Sequence, residues 1–126
     1  MKEGTIPMSN SLTAGLVGTA TTTVTSANIA ATMKSGSLAV FATPAMCALM
    51  EEAACAAVNA HLEAGSGTVG ISLNISHDRA TATLTAVEGR KLTFGVQAED
   101  SKGIIGKGSH ERFIINNEKF MAKVNG

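Results

Sequence analysis

Apolar and polar residues alternate with two different periods along this chain. From Val69 to Ser76 the pattern has period two: Val69, Ile71, Leu73 and Ile75 alternate with Gly70, Ser72, Asn74 and Ser76. This predicts a strand with one buried, odd-numbered face, in register with His77. Leu92, Phe94, Val96 and Ala98 repeat the pattern. Thr81 to Val87 and Ile104 to Asn116 read as two more strands, the latter interrupted near Gly106 and Gly108, with turns at Glu88-Gly89-Arg90 and Asp100 to Gly103. The Thr- and Val-rich stretch Thr13 to Thr25 favours a strand. Between these lies one long segment that is small or apolar almost throughout, Thr43 to about Leu62, which predicts a helix with Thr43 as N-cap and Pro44 in the first turn. Ser26 to Met33 reads as a short helical turn, Asn117 to Val124 as a short terminal helix, and residues 1–12 as a loose leader to a single domain, 1–126.

One long helix followed by a run of strands argues an α+β fold, an antiparallel sheet wrapped on one apolar helix. Inside that helix sits a charge. Glu51 and Glu52 interrupt a face of Ala, Met, Leu and Cys. An apolar helix is normally buried, and a buried carboxylate is costly unless it reaches water, is paired or changes its protonation. Periodicity does not choose between Glu51 and Glu52.

Composition narrows the function. Ten basic and ten acidic residues balance, and Trp and Tyr are absent, which argues against nucleic acid or an anionic membrane as partner. The apolar run is too short for a membrane span, and the N-terminus lacks a signal-peptide core. Cys47 and Cys55 are eight residues apart on one predicted helix, roughly 12 Å, too far to bridge. They read as reduced core residues of a cytoplasmic protein. Met46 and Met50 read as core, or as the lining of an acyl pocket. His61 reads as a helix C-terminal residue. His110 and Arg112 share a strand face. No metal-ligand pattern is evident.

The order of Phe41-Ala42-Thr43, Leu49-Met50-Glu51, Val69-Gly70, His77, Val87-Glu88-Gly89-Arg90-Lys91-Leu92, Gly106 to Arg112 and Glu118-Lys119-Phe120 resembles the hotdog fold. More narrowly, it resembles the thioesterase family that includes fluoroacetyl-CoA thioesterase. The resemblance implies Thr43, Glu51 and His77 as the catalytic set, Gly70 near the thioester carbonyl, and Arg112 toward the coenzyme A side. It selects Glu51 over Glu52, and it implies acyl-CoA as substrate with no separate cofactor. Fluoroacetyl-specific members carry an aromatic lid before the helix. Asn28 to Val40 has no aromatic residue, which points to a more general small acyl group. The segment after His77 is also shorter than in the family by roughly nine residues. Three linking residues must then cross three strand spacings, about 14 Å.

Each residue also has a structural reading: Thr43 as a cap, His77 as a strand-end residue, Gly70 as a bulge. Their joint spacing favours chemistry. Thr43 and Glu51 lie roughly 12 Å apart on one helix, so cooperation between them implies a homodimer, or a dimer of dimers, with the site between subunits. The alternative is a non-catalytic hotdog module that binds an acyl thioester or another small ligand. A dehydratase-type hotdog finds no supporting His-plus-acid pairing on the helix.

Overall fold

A computed structural model describes residues 12–76 and 80–126. The element order is β1 (Val17–Gly18), α1 (Ala30–Met33), α2 (Thr43–Val58), a 3₁₀ turn (Asn59–His61), β2 (Ser66–Ser76), β3 (Ala80–Glu88), β4 (Lys91–Asp100), β5 (Gly103–Asn116) and α3 (Asn117–Asn125). The strands form one antiparallel sheet in the order β1-β3-β4-β5-β2, with α2 against one face. This is the α+β arrangement the pattern predicts.

The core lies between helix and sheet. Met46, Met50, Ala53, Ala54, Ala57 and Val58 form the buried stripe of α2 and meet Leu84, Leu92, Phe94, Val96, Ala98 and Ile114. Each member of the helical set has another three or four residues away, which keeps the set on one side. The opposite side, with Pro44, Ala48, Glu52 and Ala56, is exposed, so the helix is less enclosed than its apolar sequence implies. Small residues facing water leave its hydrophobicity high without making it buried all round.

Several expectations change. The predicted first strand contracts to Val17 and Gly18, which pair with Thr83 and Ala82. Thr19 to Thr25 has strand propensity but no ladder partner among the described residues, and propensity without pairing does not make a strand. Ala42, not Thr43, is the N-cap of α2: it keeps an extended backbone, its N–H donates to Asn28 O (2.9 Å), and its own carbonyl accepts from Met46 N–H (3.0 Å). The short helical turn covers only Ala30–Met33, and the long helix ends at Val58, with the 3₁₀ turn taking the chain onward. Leu12, at the end of the expected leader, is buried in the core; residues 1–11 lie outside the described residues. Cys47 and Cys55 are free and half-buried, not fully inside. β5 runs unbroken through Gly106 and Gly108, with a register shift opposite Ala98/Glu99. Among the described residues no helix is long and apolar enough to cross a membrane.

The largest change is in β2. Its register against β5 runs Gly70↔Arg112 and then Ser72↔Glu111, so Ile71 is an extra residue. Such a bulge moves every following side chain to the opposite face. Thr68 and Gly70 share the helix-facing side before it, Leu73 and Ile75 after it. Ile71, expected in the core, is 50% exposed.

β2 and β3 stand three positions apart in the sheet, as the crossing estimate assumed. At the other end β1 passes very close to α2. A Cβ on Gly18 would overlap the carbonyl of Ala53 and the backbone of Ala57. Gly18→Ala is therefore expected to destabilise the fold by about 2–3 kcal/mol through backbone displacement. An unchanged urea midpoint would show that β1 does not lie this close to the helix.

Candidate functional site

Glu51 projects from the middle of α2 toward the junction of β2 and β5. Its carboxylate oxygen Oε2 accepts from Arg112 Nη1 (3.2 Å) and lies 3.9 Å from His110 Nε2. A Cβ on Gly70 would come within 2.5 Å of the same oxygen. A side chain at this position would displace the carboxylate from where it stands. The Glu51 side chain is 43% exposed, so it is not the dry carboxylate an apolar helix suggests. It stands at the rim of the helix–sheet interface, one edge held and the other toward solvent.

Arg112 is the opposite case. Its side chain is almost fully buried. A buried guanidinium has five donors to satisfy, and the surroundings answer most of them. Nε donates to Thr68 Oγ1 (2.8 Å), Nη2 to Thr68 O (3.0 Å), and Nη1 to Glu51 Oε2 and to His110 Nε2 (each 3.2 Å). His110 is 1% exposed. Its Nδ1 donates to Ser72 O (2.8 Å), and its ring stacks on Phe94 with centroids 5.9 Å apart. Burial holds the imidazole below the usual histidine range. The Ser72 hydrogen bond opposes that shift, nearby Arg112 adds to it, and Glu51 and Glu111 oppose it. Outside this buried set Ser72 Oγ donates to Glu111 Oε1 (3.0 Å), and Glu111 faces Lys91 across 3.6 Å.

The site residues expected from sequence fall out unevenly. Glu51, Gly70 and Arg112 come together at one point. Thr43 lies in the first turn of the same helix as Glu51, eight residues earlier, about 12 Å along the axis. His77 lies outside the described residues. Cys47 sits between Thr43 and Glu51 at four-residue steps, and its thiol is pushed up by burial and, secondarily, by the charge of Glu51. Thr68 and His110 belong to the cluster without having been singled out for it. The signal for His110 was parity: it alternates with Arg112 and Ile114 on one strand face, and all three are buried. Among the described residues no group of acidic, His and Cys side chains is arranged to hold a metal.

Two outcomes test this geometry. An imidazole protonates near 6.5 in the unfolded chain, but only at lower pH in this fold. The stability it contributes is complete above about pH 6.5 and is lost as pH falls through the lower folded value. Thermal melts of wild type should therefore lose more stability between pH 7.5 and 5 than those of His110→Gln. Parallel curves would mean that the ring is not held neutral. Glu51→Gln should also speed alkylation of Cys47 by iodoacetamide at pH 8, read by mass in a Cys55→Ser background, because one of the two causes raising the thiol disappears. An unaltered rate would place the carboxylate away from that thiol.

The sequence profile of the fluoroacetyl-CoA-specific thioesterase family matches residues 24–118. A fluoroacetyl-CoA thioesterase of Streptantibioticus cattleyicolor is 44% identical over 94 residues, which cover 68% of each chain. A solved structure of a fluoroacetyl-CoA thioesterase variant in complex with acetyl-CoA is 33% identical, covers 90% of this chain and 97% of its own, and superposes with a TM-score of 0.82. A thioesterase-superfamily protein of Thermus thermophilus shares the fold at 24% identity, with a TM-score of 0.83 over 92% of this chain and 93% of its own. A profile spanning most of the chain, a relative at this identity and the shared hotdog architecture lead to one conclusion: the chain belongs to the fluoroacetyl-CoA-specific thioesterase family, and with it to the thioester hydrolases.

Proposed function

We propose that the protein hydrolyses small acyl-CoA thioesters at a site between two copies of the chain, with Glu51 as base or nucleophile. The supporting observation is the asymmetry of that carboxylate: Oε2 is held by Arg112, while the side chain as a whole is 43% exposed. A carboxylate fixed on one side and open on the other can take a proton from water or attack a carbonyl itself.

In the first case Glu51 removes a proton as water adds to the thioester carbon, and the tetrahedral intermediate expels the coenzyme A thiolate. In the second, a Glu51 oxygen bonds to the acyl carbon, the thiolate leaves, and water cleaves the resulting mixed anhydride to free acid and carboxylate. In both, negative charge develops on the carbonyl oxygen. Gly70, which leaves room for close approach, is the residue we assign there through its backbone N–H. His77 is assigned to orient the water or to carry protons; its place in the catalytic set comes from the family resemblance. We assign Arg112 to the thioester end of the substrate, because its guanidinium lies against Glu51 and is too buried to reach a distal nucleotide.

Thr43 requires a second copy. Glu51 lies about 12 Å along the same helix, beyond a hydrogen bond, so a Thr43 that works with it comes from the partner. β2 supports such an assembly. Among the described residues it is an edge strand, 11 residues long, and a long edge is a natural place for another strand. The acyl group is expected to be small and aliphatic. The segment leading into α2 offers Leu38 and Val40, both exposed, where fluoroacetyl-specific relatives carry an aromatic lid. The two free cysteines fit a reducing compartment such as the cytoplasm.

Hydrolysis of a panel of short, branched and aryl acyl-CoAs tests the reading. Glu51→Ala should lower kcat/KM by about a hundredfold or more, the scale of losing a general base. Mixing Thr43→Ala with Glu51→Ala chains should restore about a quarter of wild-type sites, since half the dimers are mixed and each mixed dimer regenerates one complete site. Binding without turnover would favour the non-catalytic module, and no recovery on mixing would put Thr43 and Glu51 to work separately.

A further inference from the structure

We infer that His110 is a positioning residue: as a neutral imidazole fixed by the Ser72 carbonyl, it locks the Arg112 guanidinium onto Glu51. The inference rests on the reading of Glu51 as the reacting carboxylate and goes one layer behind it.

The chemistry of the two neighbours leaves the ring no choice. A backbone carbonyl only accepts, so the nitrogen 2.8 Å from Ser72 O, Nδ1, carries the proton. A guanidinium only donates, so the nitrogen 3.2 Å from Arg112 Nη1, Nε2, presents its lone pair. Nη1 has two hydrogens and two recorded acceptors, Nε2 of His110 and Oε2 of Glu51. Remove the lone pair and one donor of a buried guanidinium is unanswered. The guanidinium then has reason to turn, and turning moves the group that holds Glu51.

The ring cannot turn in compensation. It is 1% exposed, stacked on Phe94 and tied to β2. A second proton on it would set N–H against N–H at Arg112 and offer Oε2, 3.9 Å away, a competing partner. Among the described residues, the charges that bear on the ring are Glu51 from α2 and Arg112 and Glu111 from its own strand. From β2 and β4 the neighbours are Ser72 and Phe94, which do not titrate at working pH. The bulge at Ile71 sets the register in which Ser72 follows Gly70 across from Arg112 and Glu111.

Two substitutions divide the roles of the two nitrogens. His110→Gln sets an amide oxygen near the Nε2 position, so it still accepts from Arg112 but releases Ser72. His110→Asn sets an amide N–H near Nδ1, so it still donates to Ser72 but no longer reaches Arg112. The inference expects His110→Asn to lower kcat by about tenfold or more, as a misplaced reacting group does, with KM within about twofold. His110→Gln should recover most of that loss even where its melting temperature is the lower of the two. The reverse order, Asn active and Gln impaired, would make His110 a mere tie between β5 and β2 and overturn the inference. So would equal losses that follow melting temperature.

A measurement on the wild type covers the case in which both variants unfold. Histidine ¹⁵N shifts should report Nδ1 protonated and Nε2 bare at pH 7, and the opposite tautomer overturns the inference. Failure of the underlying reading looks different: Glu51→Ala would leave acyl-CoA turnover intact while the Nδ1–H tautomer persists.

Discussion

A guanidinium inside a helix–sheet interface has to be neutralised and its donors met, and the site region of this protein is arranged around that requirement. Arg112 cannot be given up to water where it stands. Its counter-charge comes from α2, its hydrogen bonds from β2, and a lone pair from its own strand. Removing one partner of a buried charge costs more than the pair itself contributes, since the other is stranded. The pairing with Glu51 is softer than a fully buried one, because the carboxylate is partly solvated and screened. That imbalance suits a reactive group: the cation is rigid, the anion is held but accessible.

The surrounding packing makes that imbalance possible. Alanines on α2 let the sheet come close, and β1 approaches the helix backbone so nearly that only glycine fits at position 18. Met46, Met50 and Ala54 fill the interface up to the rim, where Glu51 emerges. The helix therefore changes from core to site within one turn, through the angular position of a single residue.

Much of this was legible in the sequence. The long helix, the alternating strand from Leu92 to Ala98, the turns that bound it and the terminal helix follow from period and turn chemistry, because local sequence decides them. The first strand was not legible in its length, because Thr19 to Thr25 looks like a strand and lacks only a neighbour. Nor was the cap at Ala42, which is fixed by a backbone bond to Asn28 that no local pattern announces. Glu51 stood out as a charge on an apolar helix, and Gly70 and Arg112 through family likeness. His110 and Thr68 were hidden for one reason: their significance lies in what faces them across strands, and the register that brings them together shifts at Ile71.

That shift has a wider meaning. With unbroken alternation, β2 would carry a single label along its length, and its even face would be either a wall for the core or a floor for chemistry. One additional residue divides the strand into two half-strands of opposite phase. The first half turns its small polar residues, Thr68 and Gly70, toward the helix; the second turns its aliphatic ones, Leu73 and Ile75. Deleting that residue would leave Gly70 opposite Arg112 and Ser72 opposite Glu111, whereas drawing Ile71 into the ladder opposite Arg112 would set its side chain where a carboxylate now stands. The address of the site is thus written as an insertion, and a description of the chain by residue types alone would miss it.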